Sequence, residues 1–203
     1  RVLFRSSLGY LEEFKSVFHS LTQIQGFLGC FAVGFLFTAI PRRTGTQPPA
    51  TWEIVLGAVC PVGTTVAAWY DKLAVSQVFW AALLIMLILF AVRRFRSSAA
   101  TRKPPNSFVW VPMALLMGLS GTVFMTVYGI GAARGDEAAY WHWHQWGRLF
   151  ILQGVFLGLI MGLGGMLLPL ITCGDAPPDA RPTDRWVRAL HLLTVLALIC
   201  TFA

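Results

Sequence analysis

The chain has 203 residues, of which 56% are hydrophobic and only 12% are charged, against roughly 25% charged residues in ordinary soluble domains. This composition argues against a soluble globular domain and is typical of a membrane protein. The net charge of +7 comes largely from arginine-rich stretches such as RRFRSSAATRK. We interpret these stretches as solvated loops rather than as a surface for nucleic acid.

Long intervals without charged residues predict transmembrane helices, since a helix needs about 20 apolar residues to cross a bilayer. Five intervals meet this length, and a sixth is interrupted by the end of the sequence. We therefore predict one all-α domain over residues 1–203, a polytopic bundle with about six visible spans. The predicted helices are approximately 16–41, 52–71, 73–93, 107–133, 146–173 and 187–203.

Both ends of the sequence resemble cuts, because it begins with Arg1 and ends within an apolar run at Ala203. We expect an interior portion of a longer bundle. Loops 41–51, 93–107 and 173–188 contain ten Lys or Arg residues, and the rest of the chain contains six. The positive-inside rule places these three loops in the cytoplasm. The lipid bilayer is the expected partner, and other membrane subunits are further candidates.

Three helix faces carry specific expectations. In the first helix, polar and small residues recur every three or four positions, which predicts that this face points into the bundle. It consists of His19, Thr22 or Gln23, Gly26, Cys30 and Gly34. The glycine-free interval Leu73–Val92 predicts a helix that faces lipid over much of its circumference. Gly154, Gly158 and Gly162 repeat every four residues, and such a ridge predicts close helix packing.

Three histidines, His19, His142 and His144, are predicted to lie on the same side of the membrane. Histidine is a frequent ligand of metals and of haem iron. The stretch WHWHQWGRLF (141–150) permits two arrangements. If residues 141–145 are extended, both imidazoles point one way and form a chelating pair. If the helix already begins at Tyr140, the two imidazoles lie about 200° apart, and His144 shares a face with Arg148.

Two interpretations of Arg148 are open. Its guanidinium is suited to pair with a haem propionate or another anion at the surface. Alternatively, it is a snorkelling arginine that anchors the end of a helix. His191 has few polar neighbours and is interpreted as a structural residue.

Two stretches resemble the NnrS family: GFLFTAIPRRTG (Gly34 to Gly45) and WGRLFILQGVFLGLIMGLGGMLLPL (Trp146 to Leu170). They occur in the family's order. The resemblance implies a polytopic bacterial inner-membrane protein that contains haem and copper and acts in the nitric oxide or nitrosative-stress response. It also implies that the chain covers about half of a family member.

The family's His-x-His-Glu motif corresponds here to His19, Ser20, Leu21 and Thr22, so only its first ligand is kept. His142 and His144 are candidate replacements. The predicted metal ligands are thus His19, His142 and His144, with Arg148 as a further cofactor contact; no catalytic residue is assigned. The alternative is a metal-free accessory or transporter-like subunit, whose polar faces serve helix packing or substrate passage.

Overall fold

A computed structural model describes residues 16–174, 178–181 and 184–201. Within these ranges the chain forms six helices and no strand. Two of the helices contain a π-helical segment: Gln23–Leu28 in α1 and Leu149–Val155 in α5. The bounds are Ser16–Thr22, Gln23–Leu28 and Gly29–Thr44 for the continuous α1, Thr51–Trp69 for α2, Leu73–Phe95 for α3, Asn106–Ala133 for α4, Glu137–Cys173 for α5 and Arg185–Cys200 for α6.

The helices α1 to α5 are long and apolar enough to cross a membrane. This confirms the predicted all-α, multi-pass class. The predicted start of the fifth helix at residue 146 is wrong, because α5 begins at Glu137 and has 37 residues. Its first three turns are rich in polar and aromatic side chains, so a search for apolar runs does not detect them. At 1.5 Å per residue α5 is about 55 Å long, which exceeds the roughly 30 Å hydrocarbon core.

The three basic loops meet at one end of the bundle, which we call the basic end. Arg43 forms an ion pair with Asp179 (2.9 Å), and the Thr101 amide donates to the Thr44 carbonyl (2.9 Å). The Ala180 amide donates to the Pro104 carbonyl (3.2 Å). The opposite end comprises the start of α1, the α2–α3 turn and the α4–α5 turn, and we call it the aromatic end.

A second ion pair fixes α2 to α3 at the basic end. Both carboxylate oxygens of Glu53 accept hydrogen bonds from Arg94, at 3.2 and 2.9 Å. The Arg94 guanidinium also lies over the ring of Phe90, 3.6 Å from its centroid. Because Glu53 is only 2% exposed, the pair is shielded from water, and removing one partner would leave a buried charge unpaired.

Helix α3 faces lipid along only one stripe, where Val78 and Leu89 are exposed, so the prediction that it faces lipid over much of its circumference went too far. Its large side chains fill the core, and Trp80, Leu83, Leu84, Leu87 and Phe90 are each at most 2% exposed. It packs against α2 and α4 and also contacts α1. Helix α3, which has no glycine, therefore supplies large side chains against which glycines of the neighbouring helices pack.

The glycine ridge of α5 lies against α4 in an antiparallel arrangement. A Cβ atom placed on Gly154 would lie 2.9 Å from Met117 Sδ, one on Gly158 would lie 2.7 Å from Ala114 Cβ, and one on Gly162 would lie 2.6 Å from Val111 Cγ2. At Gly158 and Gly162 the backbone of α4 also lies within 3.1 Å of the added atom, so the two backbones approach too closely there for any side chain. This seam aligns the aromatic end of α5 with that of α4.

The prediction for the polar face of α1 is wrong: His19, Gln23, Cys30 and Gly34 are exposed. The buried face instead carries Leu21, Gln25, Gly29, Ala32 and Leu36. The predicted residues lie largely on one face, but it is the outward face of the helix. Gln25 points inward, where its Nε2 donates to Gln77 Oε1 of α3 (3.0 Å) and Gln77 Nε2 donates back to Gln25 Oε1 (3.3 Å).

We expect Gly158→Ala to destabilise the protein by about 1–3 kcal/mol, because Ala114 Cβ is attached to a rigid backbone and the two helices must separate. The measurement is thermal unfolding of the purified chain in detergent. Gly164→Ala is the matched control, since no heavy atom lies within 4 Å of a Cβ at that position. Equal melting temperatures for the two variants would contradict the proposed close contact.

The two glutamines should behave as one unit. Gln25→Leu alone leaves the amide of Gln77 buried without a partner and should cost about 1–2 kcal/mol of stability, as should Gln77→Leu alone. Replacing both residues by Leu removes the unpaired group, so the double variant should be more stable than the sum of the single effects predicts. A double-mutant cycle on unfolding free energies measures this coupling; a strictly additive result would refute it.

Candidate functional site

The candidate site lies at the aromatic end, around the buried imidazole of His144. This residue is 4% exposed. Its ring stacks on Trp141, one turn earlier in α5, with centroids 4.5 Å apart and planes at 26°. On another side the ring contacts Tyr128 of α4 at 4.8 Å. Two aromatic rings from two helices therefore enclose one imidazole.

The helical register decides between the two arrangements that the sequence permitted. Residues 141–145 are helical, so the extended chelating pair is not formed. His142 points elsewhere: it is exposed, and its ring lies 4.9 Å from that of Trp143. His144 alone of the two is enclosed by the bundle.

The antiparallel seam between α4 and α5 brings Tyr128 to His144. A Cβ on Gly131 would clash with Tyr140, and one on Gly147 would lie 2.6 Å from Met125 Cγ. On either side of the Tyr128–His144 pair, a glycine thus allows α4 and α5 to approach each other closely. Sequence reasoning did not identify Tyr128, whose pairing with His144 depends on this register.

The Nδ1 atom of His144 is buried and has no hydrogen-bond partner among the described residues. Leaving a buried polar group unsatisfied costs about 1–3 kcal/mol. Such an atom in a natural protein calls for an explanation, and a bound ligand is one explanation. An imidazole nitrogen is also a frequent ligand of haem iron and of transition metals.

Arg148 lies four residues after His144, on the same side of α5. It is exposed, whereas His144 is buried. Because α5 is longer than the hydrocarbon core, this part of the helix lies near the membrane surface. A guanidinium there is suited to pair with an anionic group.

His19 is at the same end of the bundle, because its neighbour Phe18 packs on Trp69 of α2 (5.2 Å). It is exposed, and its Nε2 lies 3.1 Å from Gln23 Nε2. Throughout residues 16–174, 178–181 and 184–201, no group of three or more His, Cys, Asp or Glu side chains could hold a metal ion. The structure therefore does not bring His19, His142 and His144 together into one ligand set.

The fourth histidine, His191, has a structural contact at the basic end. Its Nδ1 accepts a hydrogen bond from the indole Nε1 of Trp110 (2.9 Å). Val195 of α6 and Trp110 of α4 belong to the same buried cluster. His191 therefore helps to attach α6 to α4 and takes no part in the site around His144.

Comparisons with known proteins identify the family. The family model described as NnrS protein matches residues 5–203, which is nearly the whole chain. No match was found among curated proteins or among solved structures. Because the match covers far more than half of the sequence, the chain belongs to the NnrS family.

Proposed function

We propose that this NnrS-like membrane protein binds haem at its aromatic end, with His144 as the iron ligand, and acts in the nitric oxide or nitrosative-stress response. The observation that carries the proposal is the buried Nδ1 of His144, which has no partner in the described structure. Coordination to a metal would satisfy this nitrogen. The nitric oxide role rests on family membership.

Haem suits these residues better than copper does. A haem iron can be held by a single axial imidazole, whereas a protein copper site uses several ligands. The described residues offer no cluster of three such ligands. Copper is therefore the second candidate cofactor, to be tested by metal analysis, with His19 and His142 as candidate additional ligands.

Each neighbour of His144 has a role in this proposal. The Trp141 and Tyr128 rings hold the imidazole in one orientation and keep water from one side of it. Arg148 is placed to pair with a propionate at the membrane surface. When bound, the haem iron would supply a coordination position for a small diatomic gas.

The proposed location is the bacterial inner membrane, with the basic end in the cytoplasm and His144 on the periplasmic side. The ten basic residues of the three loops support this orientation by the positive-inside rule. Their contacts at one end of the bundle fit a single sidedness for all three loops.

The alternative function is that of a metal-free accessory or transporter-like subunit. The described residues offer no cluster of three metal-binding side chains, and this alternative requires none. A transporter usually has helices broken near the bilayer midplane. Helix α2 instead continues without interruption through Pro61, so an accessory role fits better than substrate passage.

The test is the absorption spectrum of the purified full chain after expression with added haem precursor. We expect a Soret band that His144→Gly abolishes and that free imidazole restores, because the exogenous ring can occupy the vacated space. His142→Gly is the matched control: it lies in the same helical segment but is exposed, and it should keep the band.

Size-exclusion profiles establish that each variant is folded. A preparation that contains no haem after supplementation would refute the haem proposal, and one that also lacks copper would favour the accessory role. A Soret band that persists unchanged in folded His144→Gly would show that another residue coordinates the haem iron.

A further inference from the structure

A cavity of about 520 Å³ opens at the basic end, far from His144. It lies between α1 and α5, and Thr101 and Arg102 of the α3–α4 loop border it. Its volume is within the usual range for small-molecule sites, about 300–1,000 Å³. Neither the proposed haem site nor the packing of the bundle accounts for it.

The cavity has a basic rim formed by three arginines, Arg42, Arg43 and Arg102. The Arg43 side chain is only 7% exposed and is paired with Asp179, so the two charges offset each other. Arg42 and Arg102 are exposed and form no ion pair with any described residue. The rim therefore has two positive charges without a counter-charge in the described structure.

The deeper wall of the cavity is apolar and comprises Phe35, Leu167 and Leu170 among others. Phe35 lies seven residues before Arg42 in α1, about 10 Å further into the membrane. Leu170 is 47% exposed on the outer surface of a membrane-spanning helix. The cavity thus joins a cationic rim at the membrane surface to an apolar surface that continues toward the hydrocarbon core.

We propose that this cavity binds an anionic phospholipid, with the lipid phosphate between Arg42 and Arg102. The upper part of an acyl chain then lies against Phe35, Leu167 and Leu170. A soluble anion could satisfy the arginines, but it would leave the apolar wall without a partner. Basic pockets between transmembrane helices on the cytoplasmic side are suited to anionic headgroups.

The fixed position of Arg43 supports this arrangement. Its Nε donates to the Lys103 carbonyl (3.0 Å), and its Nη2 donates to Asp179 (2.9 Å). These bonds connect α1 to the loops that follow α3 and α5. The rim is therefore held together by bonds among the protein's own residues.

The test is a titration of the purified full chain, in neutral detergent, with short-chain phosphatidylglycerol, phosphatidylcholine or inorganic phosphate, with thermal stability as the readout. We expect phosphatidylglycerol alone to raise the melting temperature. Arg42→Gln and Arg102→Gln should each weaken its apparent affinity about fivefold, which corresponds to about 1 kcal/mol per basic side chain. Arg96→Gln is the matched control, because Arg96 is an exposed residue near the same end and does not line the cavity.

Three results would overturn the proposal. Equal stabilisation by phosphatidylcholine would show that the headgroup charge is not recognised. Equal stabilisation by inorganic phosphate would assign the rim to soluble anions. An equal loss of affinity in Arg96→Gln would attribute the effect to the general charge of this end. None of these results bears on the haem spectrum, so each of the two proposals can be refuted without the other.

Discussion

The structure depends on close approach of helix backbones, which pairs bulky side chains on one helix with glycines on the next. Lipid tails are as apolar as leucine, so helices in a bilayer gain stability mainly from van der Waals packing and interhelical hydrogen bonds. Helix α3 supplies large side chains to three neighbours. A Cβ on Gly29 of α1 would lie 2.9 Å from Trp80, one on Gly63 of α2 would lie 2.8 Å from Phe79, and one on Gly118 of α4 would lie 2.8 Å from Leu84. Together with the α4–α5 seam, these contacts fix the order of the helices.

Much of the fold could be predicted from hydropathy, because the bilayer sets the length of a spanning helix. The predicted bounds of the second, third and fourth helices are within two residues of those observed. Which way a helix faces was harder to predict. Leucine-rich surface suits lipid and protein core equally, so the composition of α3 could not reveal how much of it is buried. In α1 the predicted residues lie largely on one face, but their polarity did not show that this face points outward, and Gln25 is the inward polar residue.

The candidate site was only partly predictable for a related reason. The residues of WHWHQW were identified as candidates, but their roles depend on where α5 begins. A start at Glu137 makes the whole stretch helical and separates His142 from His144. The three-residue spacing of Trp141 and His144 then accounts for their stacking. Tyr128 belongs to another helix and meets His144 only because the α4–α5 turn sets the antiparallel register. In that turn Gly135 adopts a positive φ of 81°, a conformation that favours glycine.

Close packing also determines where this protein can place polar chemistry. The glycine seam brings α4 and α5 into contact along most of their shared length, and α3 fills the space between α2 and α4. In the described bundle interior, the paired amides of Gln25 and Gln77 satisfy each other and leave little capacity for a ligand. Trp80 Nε1 is the one buried side-chain polar atom of the described interior that has no partner. At the two ends the helices give way to turns and loops, and the groups of both proposed sites occur there. His144 Nδ1 is at the aromatic end, and Arg42 and Arg102 are at the basic end. Both proposed sites thus begin where the close glycine packing of the helices gives way to turns and loops.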